Sequence, residues 1–398
     1  MSLALGLVAG EPSGDMIAAR VLAGLQSVSP SVNAYGIGGP ALVNQGLELW
    51  HPMHALTVFG YVDALKRLPS LIKTFKDVEH RLIKQAPDVF LGIDAPDFNL
   101  KLENKLKRRG IPTVHLVGPS IWAWRYERIK FIKEAVSHML VLFPFEQEIY
   151  EKEGIPVTYV GHPLADAIAL KPNILQARSR IGLESTDRVV AILPGSRSSE
   201  IKVLAPRFLA SAELLFAKDP RLVFIVPMVN EARRLEFEQI AKRFKLPSLR
   251  ILSSLENQAY SADQQTKPVA WDALEACDVA LVASGTATLE AALFKKPMVI
   301  SYYLPTLMRR IMAWKSGQER PYLDWVGLPN ILARDFIVPE LLQDEATPEK
   351  LSQAVWSLLL DEKRQKKIAD RFTDIHLSLQ CDTAKLAAQV ILQLADAK

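Results

Sequence analysis

Val89-Phe90-Leu91-Gly92-Ile93-Asp94-Ala95-Pro96-Asp97-Phe98-Asn99 is the stretch on which the reading of this chain turns. Its first five residues have the branched and aromatic composition of a buried strand. The run stops at two carboxylates and a proline, after which Phe98, Leu100, Leu102 and Leu106 form a helical stripe. A strand passing directly into a helix is half of a βαβ unit. In an open parallel sheet, ligands bind beyond the carboxyl ends of the strands. A carboxylate there either does chemistry or starts the next helix, and this stretch holds one Asp for each job. Asp94 ends the strand and faces the crevice, whereas Asp97 reads as an N-cap or first-turn acid.

The alternation continues on both sides. In the first half strands are expected at Leu3–Val8, Val32–Ile37, Val89–Ile93, Thr113–Val117, Ser137–Phe143 and Val157–Val160. Helices are expected at Met16–Leu25, Pro69–Lys84, Phe98–Arg109, Tyr126–Glu134 and Phe145–Glu153. The pattern loosens between Asp166 and Leu183, where Lys171-Pro172-Asn173 reads as a linker, and then restarts. Strands follow at Val189–Leu193, Leu222–Val226, Arg250–Leu252, Val279–Ala283 and Met298–Tyr302, with helices at Leu204–Phe216, Leu235–Phe244, Trp271–Ala276 and Ala287–Phe294. Asn257–Pro268 reads as a polar surface loop, and helical segments close the chain at Met308–Trp314, Pro339–Leu342, Pro348–Leu360 and Thr383–Ala395. The expectation is an α/β protein with two Rossmann-like domains, residues 1–170 and 171–370, facing a central cleft.

Composition agrees. A chain of 398 residues suits two domains rather than one core. The net charge of +4 is small for that size and does not point to nucleic acid. Cys277 and Cys381 are the only cysteines, which excludes a disulfide framework and a cysteine-based zinc site. Met1–Val8 has no basic leader and reads as a first strand, and no apolar run approaches the roughly 20 residues of a membrane span. A cytoplasmic protein, soluble or peripheral, is expected.

Three further loops follow strands. Gly10-Glu11-Pro12-Ser13-Gly14-Asp15 has the glycines and the helix N-terminus that a phosphate needs. It is not a dinucleotide fingerprint, and it reads equally as a turn in which Ser13 or Asp15 caps the helix. Gly195, Ser196 and Arg197 form either a phosphate clamp or a tight turn with an exposed Arg. Ser284, Gly285 and Thr286 open a helix, on which Glu290 can accept from ribose hydroxyls or simply balance the helix dipole. His115, at a strand end, is a second polar candidate or a structural histidine. Trp122 and Trp124 either line a ligand surface or pack in the core.

Taken in order, Gly10–Asp15, Gly92–Asn99, Pro119–Arg125, Leu193–Arg197, Ala283–Thr286 and Leu328–Asn330 resemble the motifs of the lipid-A-disaccharide synthases. Pro12 stands where some members have Thr, and Asn257–Pro268 is longer than in familiar members. The resemblance implies an inverting, metal-independent glycosyltransferase of the GT-B type without a cofactor. It would join UDP-2,3-diacylglucosamine to 2,3-diacylglucosamine 1-phosphate (lipid X), giving the β-1,6-linked lipid A disaccharide and UDP. Asp94 is then the base, with His115 as a second catalytic candidate. Ser13, Gly14, Gly195, Ser196, Arg197, Ser284, Gly285, Thr286, Glu290 and Asn330 would bind UDP-sugar. It also implies a homodimer with exchanged C-terminal segments, residues 371–398 returning as a helix to an N-terminal domain of the same or the partner chain. Absence of an Asp-x-Asp agrees with metal independence. Rival readings are a UDP-GlcNAc transferase, a UDP-sugar 2-epimerase, and a nucleotide- or lipid-binding protein without catalysis.

A soluble enzyme with acylated substrates must touch a membrane. Val58, Phe59, Val62, Leu65, Leu68, Leu71, Ile72 and Phe75 recur at helical spacing with Lys66, Arg67, Lys73 and Lys76 between them. That pattern fits an interfacial helix on anionic lipid at the cytoplasmic face of the inner membrane, or a helix packed on the sheet with a basic edge. Pro69 is expected to split it or to sit in the first turn of a second helix. Met308–Lys315 is a weaker second candidate.

Overall fold

A computed structural model describes residues 2–29, 31–56, 61–123, 125–253, 267–304 and 324–397, without the side chains of residues 61–67. The chain divides into two compact units, Met1–Asp166 with Leu379–Lys398, and Ala167–Ser378. The first crossing lies just before the linker expected at Lys171–Asn173. The second lies beyond the expected boundary at residue 370, because the helix Glu362–Leu379 buries Ile368, Phe372 and Ile375 with the second unit.

In the first unit the strands are β1 (Leu3–Ala9), β2 (Val32–Gly38), β3 (Glu48–Pro52), β4 (Val89–Ile93), β5 (Thr113–Leu116), β6 (His138–Val141) and β7 (Val157–Tyr159). They form a parallel sheet in the order β3-β2-β1-β4-β5-β6-β7. Helices α1 (Pro12–Val28), α2 (Pro40–Asn44), α3 (Tyr61–Gln85), α4 (Pro96–Lys107), α5 (Ile129–Ala135), α6 (Pro144–Lys152) and α7 (Pro163–Ala167) cover it. The central strands read as unbroken apolar runs because both faces are covered. Leu5, Leu7, Leu91 and Ile93 meet α1 on one side, while Phe90 packs with Phe98, Leu102 and Leu106 of α4 on the other.

The second unit repeats the plan. After α8 (Ile174–Arg180), strands β8 (Arg188–Leu193), β9 (Leu222–Pro227), β10 (Leu249–Leu252), β11 (Val279–Ala283), β12 (Met298–Tyr302) and β13 (Glu340–Leu342) pair in the order β10-β9-β8-β11-β12-β13. Its further helices are α9 (Ser198–Lys218), α10 (Glu231–Ala241), α11 (Val269–Ala276), α12 (Thr286–Leu293), α13 (Leu328–Ala333), α14 (Pro348–Leu360) and α15 (Glu362–Leu379). Pro339–Leu342, expected to be helical, is instead an edge strand whose Leu341 pairs beside Ser301. Met308–Trp314, and most of the Asn257–Pro268 loop, lie outside the described residues.

The last helix, α16 (Thr383–Asp396), belongs to the first unit, burying Ala387, Ala388 and Ile391 in the core that α1 shares. Its entry is fixed by Asp166, whose carboxylate accepts from the backbone N–H groups of Asp382 (3.0 Å) and Thr383 (2.8 Å). Here α16 completes the first unit of its own chain.

Candidate active site

In both sheets strand order reverses direction beside the first strand: between β1 and β4, and between β8 and β11. Such switch points open the crevice in which α/β proteins hold ligands. The register brings Ala9 beside Ile93 and Leu193 beside Val282, so the loops singled out in the sequence leave neighbouring strands in pairs.

At the first of these points Asp94 follows β4 half-buried, with a left-handed backbone (φ +53°) that Ala95 continues (φ +44°). Val117, just past β5, is also left-handed (φ +66°), a conformation that a β-branched residue rarely adopts. Each such residue costs about 1–3 kcal/mol, and such strain concentrates at functional sites. Asn99 holds the arrangement. Its buried amide donates to the carbonyl oxygen of Asp94 (2.8 Å) and lies 3.2 Å from those of Ile93 and Val8. One Asp94 carboxylate oxygen accepts from the Ala95 N–H (2.8 Å), and burial pushes its carboxyl above the ordinary carboxylate range, against the opposing pull of His115. Asp97 is different. It lies in the first turn of α4, exposed and paired with Arg128 at 2.7 Å, while the N-cap is Ala95. Asp97 therefore belongs to the helix as a first-turn acid and not as its cap, while Asp94 stays at the strand end.

His115 does not reach the crevice. Its ring is wholly buried, with Nδ1 2.7 Å from Oε1 of an equally buried Glu103. A Cβ on Gly92 would collide with that oxygen, so only glycine fits there. The assignment of His115 as a residue that touches substrate is therefore corrected: burial puts it behind the strand end.

Beside Asp94, Gly10 approaches so closely that an added Cβ would stand 2.8 Å from Ala95 Cβ, and one on Gly14 would lie 3.7 Å from Asp94 Cβ. The helix begins at Pro12 rather than Met16, with Glu11 as N-cap, so neither Ser13 nor Asp15 caps it. Ser13 is exposed at its start, and Asp15 instead caps α2, accepting from the N–H groups of Gly39 (2.7 Å), Ala41 (2.9 Å) and Leu42 (3.3 Å). Ser13 and Gly14 thus neighbour Asp94 in the first unit, while the other expected UDP-sugar residues belong to the second.

In that second unit Gly195, Ser196 and Arg197 lead into α9, with Ser196 and Arg197 exposed. Glu200, not singled out in the sequence, reaches back from the first turn. Its carboxylate accepts from the N–H groups of Ser196 (3.0 Å) and Arg197 (3.2 Å) and lies 3.7 Å from the Arg197 guanidinium. Those two backbone donors are already used, and the exposed Arg197 side chain is free to turn toward an anion. Ser284, Gly285 and Thr286 are more open. The N-terminus of α12 has no side-chain cap, and nothing lies within 4 Å of the position a Gly285 Cβ would take. Glu290 accepts from Trp271 Nε1 (3.1 Å), and burial raises its carboxyl above the usual range.

Asn330 fails as a ligand residue. It is wholly buried, with its amide donating to Val338 O (2.9 Å) and Glu340 (2.8 Å) and its oxygen accepting from Val338 N (3.1 Å). It pins α13 to the edge strand. Trp122 donates to Glu146 (3.2 Å) and packs edge-on to Phe145, and Trp124 lies outside the described residues.

The proposed membrane face divides. One helix runs from Tyr61 to Gln85 through Pro69, without the expected split. Leu71 and Phe75 pack on the core, which corrects Leu71 as a lipid contact, while Leu68 and Ile72 stand 47% and 46% exposed on the other side. Val58, Phe59 and Met308–Lys315 lie outside the described residues, as do the side chains of Val62, Leu65, Lys66 and Arg67. Among the described residues no helix is long and apolar enough to cross a membrane.

Two parallel Rossmann-like sheets define the GT-B class, and solved structures of that class share the fold. A UDP-GlcNAc 2-epimerase from Neisseria meningitidis, solved with UDP-GlcNAc bound, aligns over 100% of both chains at 12% identity (TM-score 0.62). WaaG, a glycosyltransferase involved in lipopolysaccharide biosynthesis, aligns over 98% of this chain and 99% of its own at 13% identity (TM-score 0.57). Sequence narrows the class. The profile of lipid-A-disaccharide synthetase matches residues 5–394. The lipid-A-disaccharide synthase of Bordetella petrii is 64% identical over 99% of both chains, and that of Burkholderia mallei 46% identical over 100% of this chain and 97% of its own. The chain belongs to the lipid-A-disaccharide synthase family, glycosyltransferases of lipid A biosynthesis.

Proposed function

We propose that Asp94 is the general base of an inverting transfer from UDP-2,3-diacylglucosamine to 2,3-diacylglucosamine 1-phosphate. The acceptor 6-hydroxyl oxygen bonds to the donor's anomeric carbon as its proton passes to Asp94. The bond from that carbon to the diphosphate breaks with its electrons leaving on UDP. The carrying observation is Asp94 itself: a half-buried carboxylate, held on a strained turn at a switch point, with one oxygen that accepts from no described residue. Its raised pKa favours the proton-accepting role.

The departing diphosphate gains charge, which the Arg197 guanidinium and the uncapped N-terminus at Ser284–Thr286 are suited to meet. No divalent ion or cofactor is required in this reading, and activity persists in excess EDTA. The acyl chains bring the enzyme to the cytoplasmic face of the inner membrane, where exposed Leu68 and Ile72 with Lys73 and Lys76 provide an apolar and basic contact. A second copy can supply α16 in exchange through the turn at Leu379–Asp382, keeping the same packing on α1.

In the deciding assay, purified enzyme releases UDP only when both acylated sugars are present. An epimerase would need no acceptor, and a binding protein would release nothing. Asp94→Asn lowers turnover by about 100-fold or more while UDP still binds. Turnover near wild type would remove Asp94 from this role.

A further inference from the structure

Three half-buried aromatic side chains lie past the carboxyl ends of β5 and β6 and have no part in the transfer chemistry. The indole of Trp122 meets the Phe145 ring edge-on with centroids 5.3 Å apart, and Phe145 stacks nearly parallel on Phe143 at 5.8 Å. Their place is tied to Asp94 through the backbone. The Asp94 N–H donates to Leu116 O (3.0 Å), and the Val117 N–H lies 3.4 Å from Leu140 O. The segment carrying Trp122 thus leaves β5 one strand from Asp94, and Phe143 leaves β6 two strands away. Neighbouring strands are about 4.8 Å apart, so the strand ends that carry the row stand about 5 and about 10 Å to one side of the Asp94 turn.

A buried carboxyl holds the row. Glu146 lies in the first turn of α6, where its Oε2 accepts from the Phe143 N–H (3.1 Å) as in a capping box. Its Oε1 reaches instead to Trp122 Nε1 at 3.2 Å. Burial pushes this carboxyl up to about 7, so the indole is fixed at some cost to the fold. The contact also decides what the row offers to a ligand. Nε1 is the one polar atom that the three rings carry, and it is turned inward. A sugar ring needs partners for its hydroxyls, and these rings have none left to give. An alkyl chain needs none. On the opposite side of Asp94 the Gly10 loop packs so closely that an added Cβ would stand 2.8 Å from Ala95 Cβ, with no room for a chain between them.

We infer that Trp122, Phe143 and Phe145 form the resting place of an acyl chain of the acceptor, with Glu146 as the residue that positions the indole. The inference rests on Asp94 being the base that receives the acceptor's 6-hydroxyl proton. The acceptor carries its acyl groups on carbons 2 and 3, across the sugar ring from that hydroxyl. A sugar laid along the strand ends with its 6-hydroxyl at Asp94 brings those groups over the row.

The test uses two acceptors, one with long acyl chains and one with acetyl groups in their place, each with the same acylated donor in non-ionic detergent micelles. UDP release is measured for full-length wild type, Trp122→Ala, Phe145→Ala and Glu146→Gln, with melting temperatures as a check of folding. The quantity compared is kcat/KM for the long-chain acceptor over that for the acetylated one, in which partition into micelles cancels between wild type and variant. Trp122→Ala and Phe145→Ala lower this ratio about tenfold, and Glu146→Gln lowers it in the same direction by loosening the indole, the change falling on acceptor KM. Losses of equal size with both acceptors, an unaltered ratio, or no chain preference in wild type overturn the inference. A ratio that follows the donor's chains instead, or failure of all three variants to fold, overturns it as well. Absence of UDP release by wild type, or turnover near wild type in Asp94→Asn, overturns the underlying reading of the reaction and is read apart from the ratio.

Discussion

His162 supplies a test of how the first unit is closed. It is buried immediately before α7, with Nδ1 accepting from the Leu164 N–H at 3.1 Å and its ring 5.6 Å from Phe143. Its own N–H donates to Leu379 O (2.8 Å), the first residue of the returning segment. Protonating Nδ1 would set donor against donor in a buried site. Burial, opposed by Asp166 and reinforced by Arg20, lowers the histidine to about 4. The unfolded chain binds this proton below about pH 6.5, whereas the folded chain refuses it until about pH 4. Stability from this group is therefore whole above about pH 6.5 and is lost on acidification, by about 2 kcal/mol at pH 5 and about 3 kcal/mol below pH 4. His162→Asn keeps an oxygen for the Leu164 N–H but does not titrate. Loss of the ring costs about 1–3 kcal/mol at every pH. The quantity to compare is the change in urea-unfolding free energy between about pH 8 and pH 5 in the two proteins, in which all other titrating groups cancel. The variant should lose about 2 kcal/mol less than wild type. Equal losses would refute the argument.

Other changes separate packing from function. Leu68→Ser with Ile72→Ser should reduce sedimentation with anionic vesicles at an unchanged melting temperature, while Leu71→Ser should cost about 1–3 kcal/mol of stability because its side chain packs on the core. Asn330→Ala strands the Val338 N–H and part of Glu340, a loss of about 2–4 kcal/mol in denaturant titration, with UDP affinity of the folded protein intact. Gly92→Ala drives a methyl into Glu103 and should destabilise by about 1–3 kcal/mol, seen as a lower melting temperature.

Central strands were legible in the sequence because burial on both faces makes them unbroken apolar runs, and the βα rhythm followed. The edges were not. Glu48–Pro52 is a half-exposed strand with Trp50 and His51 in it, and Glu340–Leu342 is only three residues long, so neither carries a strand signature. At the Asp94 site the residue types announced a switch-point acid, but the left-handed turn through Ala95 is a backbone fact that no side chain advertises. Glu103 was not singled out, since it stands between Lys101 and Lys105 where an acid has no distinguishing mark. Its one signal was Gly92, a glycine inside a strand, which marks close approach by another group. Glu200 was overlooked for a similar reason: an acid in the first turn is read as balancing the dipole before it is read as occupying the loop's own donors. Asn330 was overvalued because only resemblance spoke for it, and its role depends on Glu340, ten residues away and misread as helical.

The dependence of the first unit on α16 sets an order of events during synthesis. Asp166 meets its Thr383 partner across 217 positions of chain, so the sheet of the first unit emerges from the ribosome with the α1 flank uncovered. At roughly 5–20 residues per second, that apolar flank waits on the order of ten seconds or more while the whole second unit is made. During that interval the apolar residues that α16 later covers stay open to chaperones. In the exchanged dimer proposed above, which helix arrives first would be a matter of local concentration, and polysome density would set how many copies close on themselves.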